Sequence, residues 1–142
     1  MATELKINIS VEAVIYAGVE KVWNFYTKPE HIIKWNTASD EWHTTKAEND
    51  LQKGGRFLSR MEAKDGSFGF DFGGVYDEIK LYELVAYTLD DGRKATITFK
   101  GEGESTIVVV AFEAETQNPI EMQKSGWQAI INSFKKYTET NS

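Results

Sequence analysis

From Asp40 to Glu115 the chain reads as strand after strand, and a single long amphipathic helix follows. Glu41 to Glu48 opens the run and Asn49 to Gly55 is a loop. Arg56 to Lys64 alternates, with Phe57, Ser59, Met61 and Ala63 on one side. Asp65-Gly66 is a hairpin signal, because such a turn needs residues that tolerate positive φ. Phe68, Phe70 and Phe72 then alternate up to Gly73-Gly74, where a glycine pair predicts a bulge or sharp bend before the strand continues over Val75 to Leu81. Leu84 to Leu89 is the next strand, Asp91-Gly92 the next turn, and Lys94 to Lys100 alternates through Ala95, Ile97 and Phe99. Gly101-Glu102-Gly103 turns the chain again into a β-branched strand, Thr106 to Ala114. Hairpins in series build an antiparallel sheet, and its apolar face has to be covered.

The terminal segment supplies the cover. Asn118-Pro119-Ile120-Glu121 orders a cap, a first-turn proline and a capping-box acid. The helix it opens runs to about Tyr137, with Ile120, Trp127, Ile130, Ile131, Phe134 and Tyr137 on one stripe. Ahead of the sheet, Leu5 to Ala17 alternates through Ile7, Ile9, Val11, Ala13 and Ile15 and reads as a strand. After Gly18, Val19, Val22, Trp23 and Tyr26 recur at helical spacing. Thr27-Lys28-Pro29-Glu30 reads as a capping box opening a second short helix that carries Ile32, Ile33 and Trp35. The expectation is an α+β fold. About six to seven strands form a curved antiparallel sheet around one long C-terminal helix, with two short helices after the first strand.

The length of 142 residues suits a single domain, 1–142, able to bury a core without staples. There is no cysteine, which removes disulfides, thiolate metal sites and a cysteine nucleophile and fits a cytoplasmic location. A net charge of −6 without a basic block argues against nucleic acid. Met1 to Ile7 lacks the pattern of a signal peptide, and no window approaches a membrane span. His31 and His43 do not have metal-ligand spacing, and His31, early in its helix, is expected at the surface. Gly-x-Ser-x-Gly is absent, and Gly101-Glu102-Gly103 joins two strands, so it is a turn and not a phosphate loop. No catalytic residue, metal or cofactor is assigned from these patterns.

The order and spacing of Val22-Trp23, Pro29-Glu30, Trp35, Gly54-Gly55-Arg56-Phe57, Asp65-Gly66, Gly74-Val75-Tyr76-Asp77-Glu78-Ile79, Leu84-Val85-Ala86-Tyr87-Thr88 and Gly126-Trp127 resemble one family. It is the branch of the START-like (SRPBCC, helix-grip, Bet v 1-like) superfamily named after the activator of heat shock protein 90 ATPase. The resemblance implies the helix-grip fold. It also implies a void between sheet and terminal helix that takes an apolar or amphipathic small molecule. A chaperone-associated protein partner is the first alternative. A cyclase- or hydrolase-type enzyme using the same void is the second, because some relatives of the superfamily do chemistry there. Monomer and homodimer both stay open.

The candidate ligand-binding residues are Trp35, Phe57, Met61, Phe70, Phe72, Tyr87, Phe99, Trp127, Ile131 and Phe134. Apolar sites are lined this way, with a few polar groups setting orientation. The same stripe also serves a packed core, and both readings are kept. Trp35, at the expected mouth, is either a lid or a cap on the core edge. Gly126 either lets the helix approach the sheet or leaves room for a guest. Asp71, Arg56 and Arg60 face outward by alternation. A bulge at Gly73-Gly74 would turn Asp71 or Asp77 inward. Trp42 and Leu58 lean outward and are the candidates for a protein-docking patch.

Overall fold

The computed structural model describes residues 7–37 and 39–141. Seven antiparallel strands form one sheet in the order β1-β7-β6-β5-β4-β3-β2. They are β1 (Asn8–Ile15), β2 (Trp42–Asn49), β3 (Arg56–Ala63), β4 (Gly69–Lys80), β5 (Leu84–Leu89), β6 (Lys94–Glu102) and β7 (Ser105–Glu113). The helices are α1 (Val19–Thr27), α2 (Pro29–Trp35) and α3 (Ile120–Thr140). The sheet curves into a half-barrel around α3, and α1 and α2 cross from one edge strand to the other, so this is the helix-grip arrangement. Leu5 and Lys6 of the expected first strand lie outside the described residues.

Alternation decides which face is buried. In β7, Thr106, Val108, Val110 and Phe112 point inward between half-buried neighbours. Ala95, Ile97 and Phe99 of β6 and Val85, Tyr87 and Leu89 of β5 continue the same layer. Two hairpins use one device: Asp65 Oδ1 accepts from Ser67 N at 2.8 Å and Asp91 Oδ1 from Arg93 N at 3.1 Å, each around a glycine at positive φ. The last turn sits at Gly103–Glu104, because β6 runs through Gly101 and Glu102.

Gly73 and Gly74 do not form the expected bulge. They pair in register with Leu58 and Phe57. The irregularity in β4 lies at Asp77, between Tyr76 and Glu78, and a second one lies in β2 between Thr44 and Lys46. The glycines instead permit close approach. A Cβ on Gly74 would sit 2.4 Å from Thr88 O, and one on Gly73 would sit 2.9 Å from Phe57 O.

Neither expected cap forms through a side chain. Helices α1 and α2 nearly abut, so Thr27 falls in the last turn of α1, where its hydroxyl donates to Trp23 O at 2.8 Å. At α3 the N-cap is Pro119. Buried Gln123 ties the preceding loop down, donating to Glu115 O and Asn118 O and accepting from Glu115 N. Along β1, α3 reaches the outer edge of the sheet: Gln128 Nε2 donates to Glu12 O, Lys135 Nζ to Val14 O, and Tyr16 N donates to Glu139 Oε2.

The two kinds of glycine make opposite predictions. Gly74→Ala drives a methyl into a neighbouring carbonyl and should lower stability by about 2–3 kcal/mol. At Gly126 a Cβ meets nothing within 4 Å, so Gly126→Ala should raise stability by about 1 kcal/mol through helix propensity. Urea unfolding followed by circular dichroism measures both, and equal shifts would contradict the assignment.

Candidate functional site

The aromatic residues separate into a solid cluster and a hollow one. The solid cluster lies beneath α1 and α2. Tyr26 meets Phe99 edge-on at 5.6 Å and Phe134 at 5.0 Å, Trp23 meets Phe99 at 5.1 Å, and Trp35 meets Phe134 at 4.9 Å. Phe99 and Phe134 are therefore buried in the packed core and are not among the residues that line the cavity. Alternation and helical phase put them on the inward face but do not say how far along it they sit.

Between α3 and strands β3–β5 lies a cavity of about 460 Å³. Its wall includes the other eight candidates: Trp35, Phe57, Met61, Phe70, Phe72, Tyr87, Trp127 and Ile131. Trp127 is set by stacking on Phe112 at 4.2 Å, and its ring meets that of Phe72 edge-on at 6.0 Å. Gly126 also lines the wall. Trp35 does not act as a lid. It is 4% exposed, its Nε1 donates to Phe25 O, and its carbonyl accepts from Ser133 Oγ, so both its ring and its backbone are pinned.

Trp42 is the clearest reversal of expectation. It shares the inward face with buried Thr44, joins the cavity wall and meets Phe68 and Phe70 at 6.0 and 5.8 Å. The irregularity after Thr44 changes the parity of β2, so outward reasoning from the second half of the strand fails for the first. Phe68, Phe70 and Met122 are exposed beside it, which gives the cavity an aromatic rim. Leu58 stays half-buried on the outer face, and Asp71, Asp77 and Arg56 are exposed. Arg60 is half-buried and bound to Glu62 and Asp71. His31 is half-buried, not exposed: its ring stacks on Phe25 at 4.0 Å and its Nδ1 lies 2.7 Å from Tyr137 Oη.

The polar groups of the wall were not singled out as site residues, apart from Tyr87. Tyr76 and Tyr87 are directly paired across β4 and β5, and Tyr26 enters from α1. Tyr76 Oη donates to Asn49 Oδ1, and Asn49 Nδ2 donates in turn to Thr27 O. Among the described residues the hydroxyls of Tyr26 and Tyr87 have no protein hydrogen-bond partner, and neither is sealed from solvent, whereas Thr138 Oγ1 is both buried and unpartnered. Burial, followed by the charge of Tyr76, raises Tyr26 far above the usual phenol range. Burial alone raises Tyr76, against the opposing hydrogen bond to Asn49. Burial, then the charges of Tyr26 and Tyr76, raises Tyr87, with Arg93 opposing. All three phenols are thus neutral donors at physiological pH. Among the described residues no group of His, Asp and Glu side chains is placed to hold a metal ion, and no helix is long and apolar enough to cross a membrane.

The model of a family described as Activator of Hsp90 ATPase homolog 1-like protein matches residues 16–139. The chain belongs to this family. Two solved neighbours match nearly the whole chain. The AHSA1-like protein of Aeromonas hydrophila, solved by NMR, is 42% identical over 94% of this chain and 92% of its own, with a TM-score of 0.88. The protein Chr148 of Cytophaga hutchinsonii is 54% identical over 94% of this chain and 93% of its own, with a TM-score of 0.81. CV1439 of Chromobacterium violaceum, 24% identical over 95% and 99% with a TM-score of 0.84, shares the fold. None of the curated proteins matches the chain at a significant level. The AHSA1-like assignment places the chain in the START-like superfamily and is consistent with a ligand-binding or interaction module.

The phenols make a pH prediction. Their folded pKa values lie above the ordinary value near 10, so the stability they contribute is complete below about pH 10. It is lost as pH rises from there toward the folded values, because only the unfolded chain ionises readily. Alkaline unfolding should therefore coincide with phenolate absorbance near 295 nm from these three rings. Tyr26→Phe/Tyr87→Phe should extend the native range upward in pH, and an unchanged alkaline midpoint would contradict the assignment.

Proposed function

We propose that this AHSA1-like protein binds an apolar or amphipathic small molecule between its sheet and α3. The observation that carries this reading is the 460 Å³ cavity itself, bounded by aromatic side chains that are braced from behind. Specific small-molecule sites occupy about 300–1,000 Å³ and combine apolar walls with few polar groups, and this wall has that character. Binding would draw on burial of apolar area, at about 25 cal/mol per Å² before association costs. The rim of Trp42, Phe68, Phe70 and Met122 offers an apolar approach to the mouth.

The exposed rim also favours a second reading, a protein-docking surface, which the family description links to a chaperone ATPase. The two readings respond differently to one substitution. Gly126→Leu projects a side chain into the cavity and leaves the rim intact. Native mass spectrometry of the freshly purified protein should show an adduct of a few hundred daltons that denaturation releases. The Gly126→Leu protein, folded by circular dichroism, should lack it. Retention of the adduct by the filled variant would place binding elsewhere. Stimulation of a chaperone ATPase that survives Gly126→Leu and disappears with Phe68→Ser would favour docking.

A further inference from the structure

Tyr87 is 6% exposed and Tyr26 half-buried, yet both hydroxyls open onto the cavity without a protein partner. Ser59, buried in β3 on the same wall, is also without a hydrogen-bond partner among the described residues. The other wall hydroxyls are satisfied: Tyr76 by Asn49, and Thr27 by Trp23 O. A donor that faces a cavity without a protein partner is left to water until a ligand acceptor replaces it, and a ligand that cannot accept forfeits that bond. The unpaired donors thus mark where a ligand's polar atom belongs. Tyr76 and Tyr87 are opposed across β4 and β5 with ring centroids 6.5 Å apart, and Tyr26 lines the same cavity, so the three phenols share one wall.

The charges on the wall decide the acceptor's character. Arg93 is the cation there, and its Nε is held 2.7 Å from Asp91 Oδ2. Glu48, the carboxylate on the wall, is exposed and pairs with Lys46 at 3.0 Å. The wall's charges are thus already balanced in pairs, Arg93 with Asp91 and Glu48 with Lys46, and a buried anion would add one more charge, which is unfavourable. Phe57, Phe72 and Trp127 line the wall with rings inclined at 48° and 68° to one another, which suits edge-to-face packing against an aromatic guest.

Resting on the cavity-binding reading, we infer that the ligand is a largely aromatic molecule bearing an uncharged carbonyl-type oxygen, which accepts hydrogen bonds from Tyr26 and Tyr87. The residues act as donors and set orientation, and no covalent step is involved.

Three matched probes test this by calorimetry on the intact protein: 2-acetylnaphthalene, 2-ethylnaphthalene and 2-naphthoate. The ketone should bind about tenfold or more tightly than the hydrocarbon, because a site built around donors discriminates against an analogue lacking the acceptor. It should also bind more tightly than the carboxylate. Tyr26→Phe/Tyr87→Phe should abolish the preference for the ketone while leaving the hydrocarbon's affinity unchanged. The double variant should be no less stable than the parent, which separates a ligand-directed role from a structural one. Equal affinity of ketone and hydrocarbon, or a preference that survives the double variant, would overturn the inference while leaving the cavity reading intact. Tighter binding of 2-naphthoate would overturn the uncharged acceptor. Failure of all three probes to bind would remove the cavity reading and this inference with it.

Discussion

The architecture rests on a mismatch of shape between a broad curved sheet and one helix. Seven antiparallel strands twist and coil, whereas α3 is a cylinder about 10–12 Å across with its side chains. The concave face is wider than the helix can fill. Beneath α1 and α2 the difference is made up by interlocked rings, Trp23, Tyr26, Trp35, Phe99 and Phe134. Away from them no further element supplies a filler. There Trp127 stacks on Phe112 and meets Phe72 edge-on, and a cavity remains beside them. The solid half gives the hollow half its rigidity, because Tyr26 and Trp35 belong to both.

Much of this could be read from the residues in order. Period-two alternation and Asp-Gly turns are local signals, and the structure keeps them as strands and hairpins. Eight of the ten expected lining residues meet at one cavity, because inward parity in β3–β5 and one stripe on α3 specify a shared face. The failures share a cause, since each depended on a neighbour distant in sequence. Gly73-Gly74 signals a bulge as well as it signals close approach, and Thr88 O decides between them. The Thr27 box fits its motif, but the abutting of two helices redirects the hydroxyl. No glycine marks the irregularity in β2, so the inward turn of Trp42 was not visible. Phe99 and Phe134 show that parity gives the face and not the depth. Tyr26 and Tyr76 read as ordinary members of a stripe and a strand. Only the assembled wall shows that one phenol is paired and another is not.

The hydroxyls illustrate how a cavity wall differs from a core. Tyr26 and Tyr87 open onto the cavity, where water takes the place of a protein partner at little cost to folding. A wall that only had to pack would need no hydroxyl at either position.

The bonds from α3 to the outer edge of β1 bear on solubility at high concentration. An open edge strand offers a row of unpaired carbonyls and amides to any passing chain. Here Gln128, Lys135 and Glu139 already occupy the groups of Glu12, Val14 and Tyr16. At the opposite edge, β2 carries Lys46 and Glu48 and loses regular pairing after Thr44. The β1 edge is thereby occupied, and the charges and irregularity of β2 oppose strand addition at the other, so the sheet resists edge-to-edge pairing without sealing its barrel.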